Sequence, residues 1–175
     1  MNDKRQELIF QPIGVIRSPH HTPAGTPIQP IYAEQTVGEV IVDERLEPAL
    51  ADIEGFERIW LIYLFDRAGA FNARVIPYRD TQEHGLFTTR SPCRPNPIGM
   101  SVVRLVGRER NVLRVRDLDI LDGTPLLDIK PYIPGFDAHA QSKAGWFDDC
   151  GEDRRVADGR FHGDANKTFE GSRKD

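Results

Sequence analysis

Short runs of β-forming residues separated by turn signals constrain the fold of this chain more than any other feature. VGEVIV at residues 37–42 and RIWLIYLF at residues 58–65 are typical, and the alternating residues 101–106 and 112–115 indicate a hairpin. The strand–helix alternation of a doubly wound fold is missing. Many short strands with little helix favour a small closed or nearly closed β-barrel, because closure removes exposed sheet edges. We therefore predict a mainly β fold.

One short helix is predicted beside the barrel. Leu46, Leu50 and Ile53 fall on one face of a helix, with Asp43 suited to cap its start and Gly55 to end it. Further strands are expected at residues 10–17, 73–76, 85–89, 118–121 and 126–130.

Composition changes near residue 147. The 175 residues are enough for one domain with a core and an extension. We expect the barrel domain to occupy residues 1–147 and residues 148–175 to form a polar tail without a domain of its own. The alternative is that Val156, Phe161 and Phe169 dock this tail onto the barrel.

Several classes of protein do not fit the sequence. No apolar run reaches transmembrane length, and the start of the chain lacks the apolar segment of a signal peptide. The two cysteines form no CxxC pair, which fits a reducing cytoplasm, and the five histidines show no metal-ligand spacing. We expect a cytoplasmic protein that needs neither a membrane nor a metal.

A proline-rich segment lies within residues 85–105. Pro92, Pro95 and Pro97 fix their own φ angles and push the preceding residues toward extended geometry, which predicts a stiff rod. Its side chains include Arg90, Arg94 and Asn96, which suit carboxylate, phosphate or base recognition. The plain alternative is a rigid surface turn, but preordered polar side chains favour a binding site.

Charge is distributed unevenly along the chain. The net charge is −4, yet residues 74–116 carry nine arginines and three acidic groups, a local charge of +6. A positive face on an acidic protein suggests a polyanionic partner. The alternative is that these arginines pair with acidic groups elsewhere, and charge alone does not decide between the two.

The remaining polar residues favour chemistry by positioning. Cys93 has no evident base and is better explained as packing than as a nucleophile. Polar candidates cluster near strand ends: Asp66, Arg67, Asp117, Asp119, Asp122, Lys130 and Tyr132. A site without a protein nucleophile suits group transfer from a reactive cofactor. A non-catalytic barrel that binds an anionic ligand or nucleic acid is the alternative.

Four segments resemble one known family. They are TTRSPCRPNPIGMSVVRL (88–105), LDILDGTPLLDIKPYIP (118–134), IGVIRSP (13–19) and GFERIWLIYLFDR (55–67), within a match from about residue 13 to residue 146. The chain resembles the TsaA-like, or TrmO, family of S-adenosylmethionine-dependent tRNA methyltransferases. The resemblance implies a small β-barrel, a homodimer with the cofactor near the subunit interface, and methylation of N6 of N6-threonylcarbamoyladenosine beside the anticodon of tRNA.

The resemblance also implies site residues. The cofactor pocket would involve Pro30, Ile31, Tyr32, Asp66, Arg67, Arg90, Met100, Asp117, Leu118, Asp119 and Ile120. On the substrate side, Arg94 and Lys130 would bind the substrate, and Asp122, Asn96 and Tyr132 would take part in catalysis. Longer bacterial members carry a further C-terminal domain, where this sequence has its polar tail.

Overall fold

The computed structural model of the chain describes residues 8–151 and 153–163. Its β-strands are Gly14–Arg17 (β1), Val37–Val42 (β2), Arg58–Leu64 (β3), Arg74–Val75 (β4), His84–Gly85 (β5), Ile98–Glu109 (β6), Val112–Arg116 (β7) and Thr124–Pro131 (β8). A four-residue α-helix, α1, covers Pro134–Asp137. Short 3-10 helices cover Pro30–Tyr32, Glu44–Leu50, Ile53–Gly55, Leu86–Thr88 and Gly145–Asp149. No helix within the described residues is long and apolar enough to cross a membrane.

Six strands close into a barrel in the order β1-β2-β7-β6-β3-β8, and every neighbouring pair is antiparallel. The two remaining strands, β4 and β5, form a separate two-stranded sheet. The predicted mainly β, closed barrel is therefore confirmed. In β3, Ile59, Leu61 and Tyr63 point into the barrel, while Trp60 and Ile62 point outward.

The barrel interior is filled by aliphatic side chains from every barrel strand. Its fully buried members include Ile16, Val40, Ile59, Leu61, Val103, Leu113, Val115, Leu118 and Leu126. Leu118 precedes β8 rather than lying in a strand, and it closes one end of this core. With the interior filled, only the ends and outer faces of the barrel remain for a ligand.

Three local predictions were wrong. The expected α-helix at residues 46–53 is replaced by two 3-10 helices, since Pro48 inside the first one has no N–H for an α-helical bond. The cap was correct, because the Asp43 carboxylate accepts a hydrogen bond from the N–H of Arg45 at 3.0 Å. Residues 86–88 form a 3-10 helix instead of a strand, and residues 118–121 form an irregular segment.

The C-terminal segment at residues 153–163 packs on the barrel domain. Val156 forms an isolated β-bridge with Pro27, and His162 forms one with Ala68. The Phe161 ring meets the Tyr78 ring edge-on, with centroids 5.1 Å apart. These contacts match the docking alternative for Val156 and Phe161, while Phe169 lies outside the described residues.

We expect Gly38→Ala to destabilise the barrel by about 1–3 kcal/mol, as overpacking of a filled core does. A Cβ atom at this position in β2 would overlap the backbone oxygen of Arg17 and the side chain of Leu118. Urea unfolding followed by circular dichroism measures the change. Gly55→Ala is the matched control, because a Cβ at Gly55 meets nothing within 4 Å. Equal stability of the two variants would contradict this account of the core.

Candidate functional site

One end of the barrel opens into a cavity of about 300 Å³. Its walls come from the end of β3, the start of β6 and the segment before β8, together with residues 23–29, 89–94 and 157–162. We call this cavity the barrel-end pocket. Gly99, at the start of β6, lines it, and a Cβ there would overlap the Tyr63 ring. A glycine is needed at this position to leave room for the aromatic side chains.

A carboxyl group lies on the inner side of the pocket. The Ser101 hydroxyl donates a hydrogen bond to Asp119 at 2.7 Å, and the Tyr63 hydroxyl lies 3.1 Å from the Ser101 oxygen. Burial raises the pKa of Asp119 to about 7, against the opposing effects of the Ser101 hydrogen bond and the positive charge of Arg90. The pocket therefore holds a carboxyl group that changes charge near neutral pH.

Two arginines of the proline-rich segment line the same pocket. Arg90 donates to the Gln29 side-chain oxygen at 2.5 Å, and Arg94 donates to the Thr89 backbone oxygen at 2.9 Å. The Arg94 guanidinium also lies over the Phe87 ring, 5.5 Å from its centroid. Neither arginine forms an ion pair within the described part of the chain, so both keep a charge available for an anionic ligand.

Other arginines of the basic segment are neutralised locally. Their ion pairs include Arg74–Glu83 at 3.2 Å, Arg104–Glu57 at 3.1 Å, Arg108–Glu54 at 3.4 Å and Arg114–Glu109 at 3.4 Å. The pairing alternative therefore holds for much of the segment. The pocket nevertheless keeps two positive charges of this segment, those of Arg90 and Arg94, without an acidic partner among the described residues.

The proline-rich segment is not the extended rod that the prolines predict. The N–H of Arg94 donates to the oxygen of Pro92 at 2.7 Å, and the N–H of Ile98 donates to the oxygen of Asn96, also at 2.7 Å. Bonds between residues two apart define tight three-residue turns. The turns fold the segment across the barrel end and bring Arg90 and Arg94 into one cavity.

The structure brings part of the predicted cofactor set together. The residues of that set that line the pocket are Asp66, Arg67, Arg90, Met100, Asp119 and Ile120. Arg67 is held in place, because its guanidinium donates to the Thr124 hydroxyl at 2.9 Å and lies 3.3 Å from the Asp66 carboxylate.

Five predicted cofactor residues lie outside the pocket lining. Pro30, Ile31 and Tyr32 form a 3-10 helix directly after the lining residue Gln29, and Ile31 is 78% exposed. Asp117 is engaged with Arg58 at 3.4 Å, and the Leu118 side chain belongs to the core. The next two residues, Asp119 and Ile120, line the pocket, and Ile120 is also part of the core.

The predicted substrate and catalytic residues do not gather around one point in a single chain. Arg94 lines the pocket, but Asn96 is exposed on its turn, and neither Asn96 nor Asp122 is among the lining residues. The Asp122 carboxylate accepts from the N–H of Ser18 at 3.1 Å and pairs with Arg17 at 3.7 Å, so it holds the turn before β8.

Lys130 and Tyr132 lie near the opposite end of β3. Lys130 is the strand partner of Trp60, and the Tyr132 ring lies 6.0 Å from the Trp60 ring. Trp60 precedes Tyr63, the first residue of β3 that lines the pocket, by three residues, which is roughly 10 Å along a strand at about 3.3 Å per residue. Lys130 is also paired with Asp128 at 2.8 Å.

Sequence reasoning missed several lining residues. Tyr63 and Asp119 share the hydroxyl of Ser101, but Tyr63 and Ser101 read as ordinary strand residues. Strand alternation shows that Tyr63 points inward, although not that it reaches a cavity. Tyr78 gave no signal in the sequence, and Phe161 was considered only as a docking residue of the tail, because the two rings come together only through the docked C-terminal segment.

Neither a cysteine nucleophile nor a metal site is indicated by the described residues. Cys93 is 6% exposed, and burial raises the pKa of its thiol, which argues against a nucleophile. Within the described residues, no group of three or more His, Cys, Asp or Glu side chains is arranged to hold a metal ion.

Comparison with known proteins relates this barrel to a methyltransferase family. The family model of the tRNA-methyltransferase O N-terminal domain matches residues 15–138. A Pyrococcus abyssi protein named "Probable S-adenosyl-L-methionine-binding protein" is 51% identical over 141 residues, covering 81% of this chain and 77% of the relative. The tRNA (adenine(37)-N6)-methyltransferase of Escherichia coli is 38% identical over 135 residues, covering 71% of this chain and 57% of that enzyme.

A solved structure gives the same relationship. The crystal structure of TrmO from Pseudomonas aeruginosa superposes with a TM-score of 0.68 and 37% sequence identity, covering 80% of this chain and 62% of that one. The chain therefore spans less than two thirds of the E. coli enzyme and of this structure. The family match, the sequence identity and the barrel agree with the resemblance that the sequence motifs gave, and this chain belongs to the TrmO family of S-adenosylmethionine-dependent tRNA methyltransferases.

Proposed function

We propose that this chain binds S-adenosyl-L-methionine in the barrel-end pocket and methylates N6 of N6-threonylcarbamoyladenosine beside the anticodon of tRNA. The observation that carries the proposal is one cavity, in a TrmO-family barrel, that joins the Asp119 carboxyl group to Arg90 and Arg94. The names of the relatives support the cofactor and the tRNA adenine substrate. That the target adenosine carries a threonylcarbamoyl group is the more specific part of the proposal.

The pocket residues fit the cofactor by size and by chemistry. The cavity volume of about 300 Å³ lies at the lower end of the roughly 300–1,000 Å³ typical of ligand pockets. The Asp119 carboxylate matches a cationic group, Arg90 matches a carboxylate, and the rings of Tyr63 and Phe65 offer an apolar surface to a heteroaromatic base.

Orientation is the main task left to the protein. Bound S-adenosylmethionine would supply an already activated methyl group, so the residues need mainly to align the acceptor. Arg94 is suited to the threonyl carboxylate of the substrate, because its described polar partners are backbone oxygens and an ion pair would add a stronger, charge-assisted bond. Asp119, with a pKa near 7, is suited to carry a negative charge in the pocket at neutral pH.

A homodimer would bring together the two groups of predicted residues, those that line the barrel-end pocket and those near Lys130 and Tyr132. The outer face of β3 and β6 pairs Trp60 with Val102 and Ile62 with Met100, and Met100 is 49% exposed. Such an apolar stripe suits contact with a second copy of the chain. A two-fold axis near the middle of β3 would place the Lys130 and Tyr132 end of one barrel beside the pocket of the other.

We expect Ile62→Glu to shift the dimer to a monomer and to reduce methyl transfer strongly, because it puts a charge in the middle of this stripe. Sedimentation velocity and a methyl-transfer assay measure the two effects. Val106→Glu is the matched control, since Val106 is also exposed on β6, at 51%, and lies beyond the paired stripe. A wild-type monomer with full activity would contradict the dimer.

We expect Arg90→Ala to weaken binding of S-adenosylmethionine and S-adenosylhomocysteine by about tenfold or more, as loss of a charged hydrogen-bond donor does. Isothermal calorimetry with both ligands measures the change. Arg114→Ala is the control, because Arg114 belongs to the same basic segment but pairs with Glu109 on the surface. Unchanged binding in Arg90→Ala would remove Arg90 from the cofactor site.

The substrate is tested with tRNA that does or does not carry threonylcarbamoyl at the adenosine beside the anticodon. Methyl transfer only to the modified tRNA supports the full proposal, and transfer to both supports a broader adenine-N6 methyltransferase. Transfer to neither, by a dimer that binds tRNA, would favour the non-catalytic binding module.

We expect the affinity for S-adenosylmethionine to rise up to about tenfold between pH 6 and pH 8. A carboxyl group with a pKa of about 7 is mostly neutral at the lower pH and mostly ionised at the higher, and a cationic ligand favours the ionised form. Calorimetry at both pH values measures the change in wild type and in Asp119→Asn. The variant keeps the shape without the charge, so its affinity should lose this rise. Identical pH profiles would contradict the assignment.

A further inference from the structure

A C-terminal segment beyond the family domain closes one side of the pocket. We call residues 153–163 the strap, and they lie outside the matched residues 15–138. Backbone hydrogen bonds attach the strap to two loops of the domain: Gly25 N–H to Ala157 O at 2.9 Å, Ala157 N–H to Thr26 O at 2.8 Å, Ile28 N–H to Arg155 O at 3.0 Å, Gly69 N–H to Phe161 O at 2.9 Å and Gly163 N–H to Arg67 O at 3.1 Å. The strap therefore joins the 25–28 loop to the loop after β3.

The strap also contributes directly to the pocket surface. Its lining residues are Ala157, Phe161 and His162. Phe161 packs edge-on against Tyr78, which lines the same cavity, with centroids 5.1 Å apart. Since the loops that the strap joins also line the pocket, removal of the strap would open this side of the cavity to solvent.

We propose that the strap is a wall of the cofactor pocket and that Phe161 and His162 are ligand-contacting residues. The proposal rests on the assignment of the barrel-end pocket to S-adenosylmethionine. An aromatic ring and an imidazole on this side add a flat surface and a polar contact for a heteroaromatic ligand. Affinity for the cofactor then depends on residues that the family domain does not contain.

A glycine provides a way to displace the strap without substituting any residue that lines the pocket. A Cβ at Gly163 would lie 2.9 Å from the backbone oxygen of Ala68 and 2.9 Å from the Cα of Gly69. Backbone atoms cannot move aside as a side-chain tip does, so Gly163→Ala must push this end of the strap outward. Gly151→Ala is the matched control, because a Cβ there meets nothing within 4 Å.

Cys93 reports the position of the strap. The residue is 6% exposed, and its thiol donates to the backbone oxygen of Phe161 at 3.4 Å, so a displaced strap exposes it. Cys150→Ser leaves Cys93 as the one cysteine of the chain. The rate at which a disulfide reagent labels Cys93 then measures docking independently of ligand affinity.

The experiment titrates S-adenosylhomocysteine into wild type, Gly163→Ala, Phe161→Ala and Gly151→Ala, and follows Cys93 labelling in the Cys150→Ser background. We expect Gly163→Ala and Phe161→Ala to weaken binding about tenfold, as loss of an aromatic contact that the ligand covers does. Gly163→Ala should also speed labelling, and bound ligand should slow it in wild type. Gly151→Ala should behave as wild type in both measurements.

The outcomes separate this inference from the proposed function. Faster Cys93 labelling in Gly163→Ala with unchanged affinity would overturn the strap as a wall while leaving the cofactor site intact. Gly163→Ala could leave the strap docked. In that case, unchanged affinity in Phe161→Ala would itself overturn the strap as a wall and leave the cofactor site intact. A wild-type protein that binds neither S-adenosylmethionine nor S-adenosylhomocysteine would overturn both proposals.

Discussion

Closure of the six-stranded sheet, completed where β8 pairs with β1 and β3, is the constraint on which the rest of the structure depends. Closure leaves the barrel without an open edge and turns alternate side chains of each strand inward. Those side chains fill the interior, so a ligand must bind at an end or on an outer face of the barrel. Tyr63, the last inward position of β3, and Ser101, an inward residue near the start of β6, reach the end of the filled core. The same alternation that builds the core therefore supplies the innermost groups of the pocket.

Electrostatics divides the arginines into two groups. Surface arginines such as Arg104 and Arg114 have acidic partners, and exposed pairs of this kind contribute little to stability. Arg90 and Arg94 are held instead by neutral oxygens of Gln29 and Thr89. Those bonds fix the direction of each guanidinium without cancelling its charge. Together with Asp119, they give a small cavity groups of both signs, as a zwitterionic ligand requires.

The sequence predicted the barrel well because strand alternation is a local pattern. It placed Asp66, Arg67, Arg90 and Asp119 among the expected site residues because the family motifs contain them, and all four line the pocket. It did not predict the turns at residues 92–98, since proline restricts φ but does not decide whether the next N–H bends back onto a nearby oxygen. It also did not decide whether the C-terminal residues dock, because Val156 and Phe161 find partners more than 80 residues away.

The strap forms a side of the pocket whose sequence can change independently of the barrel. Its backbone hydrogen bonds to Gly25, Thr26 and Ile28 do not depend on the identity of its side chains, so residues 153–163 can change without disturbing barrel pairing. The barrel residues of the pocket have no such freedom, because Tyr63, Gly99 and Ser101 are also parts of paired strands. Within one family, divergence in ligand preference can therefore accumulate in a segment that a comparison restricted to the shared domain would not include.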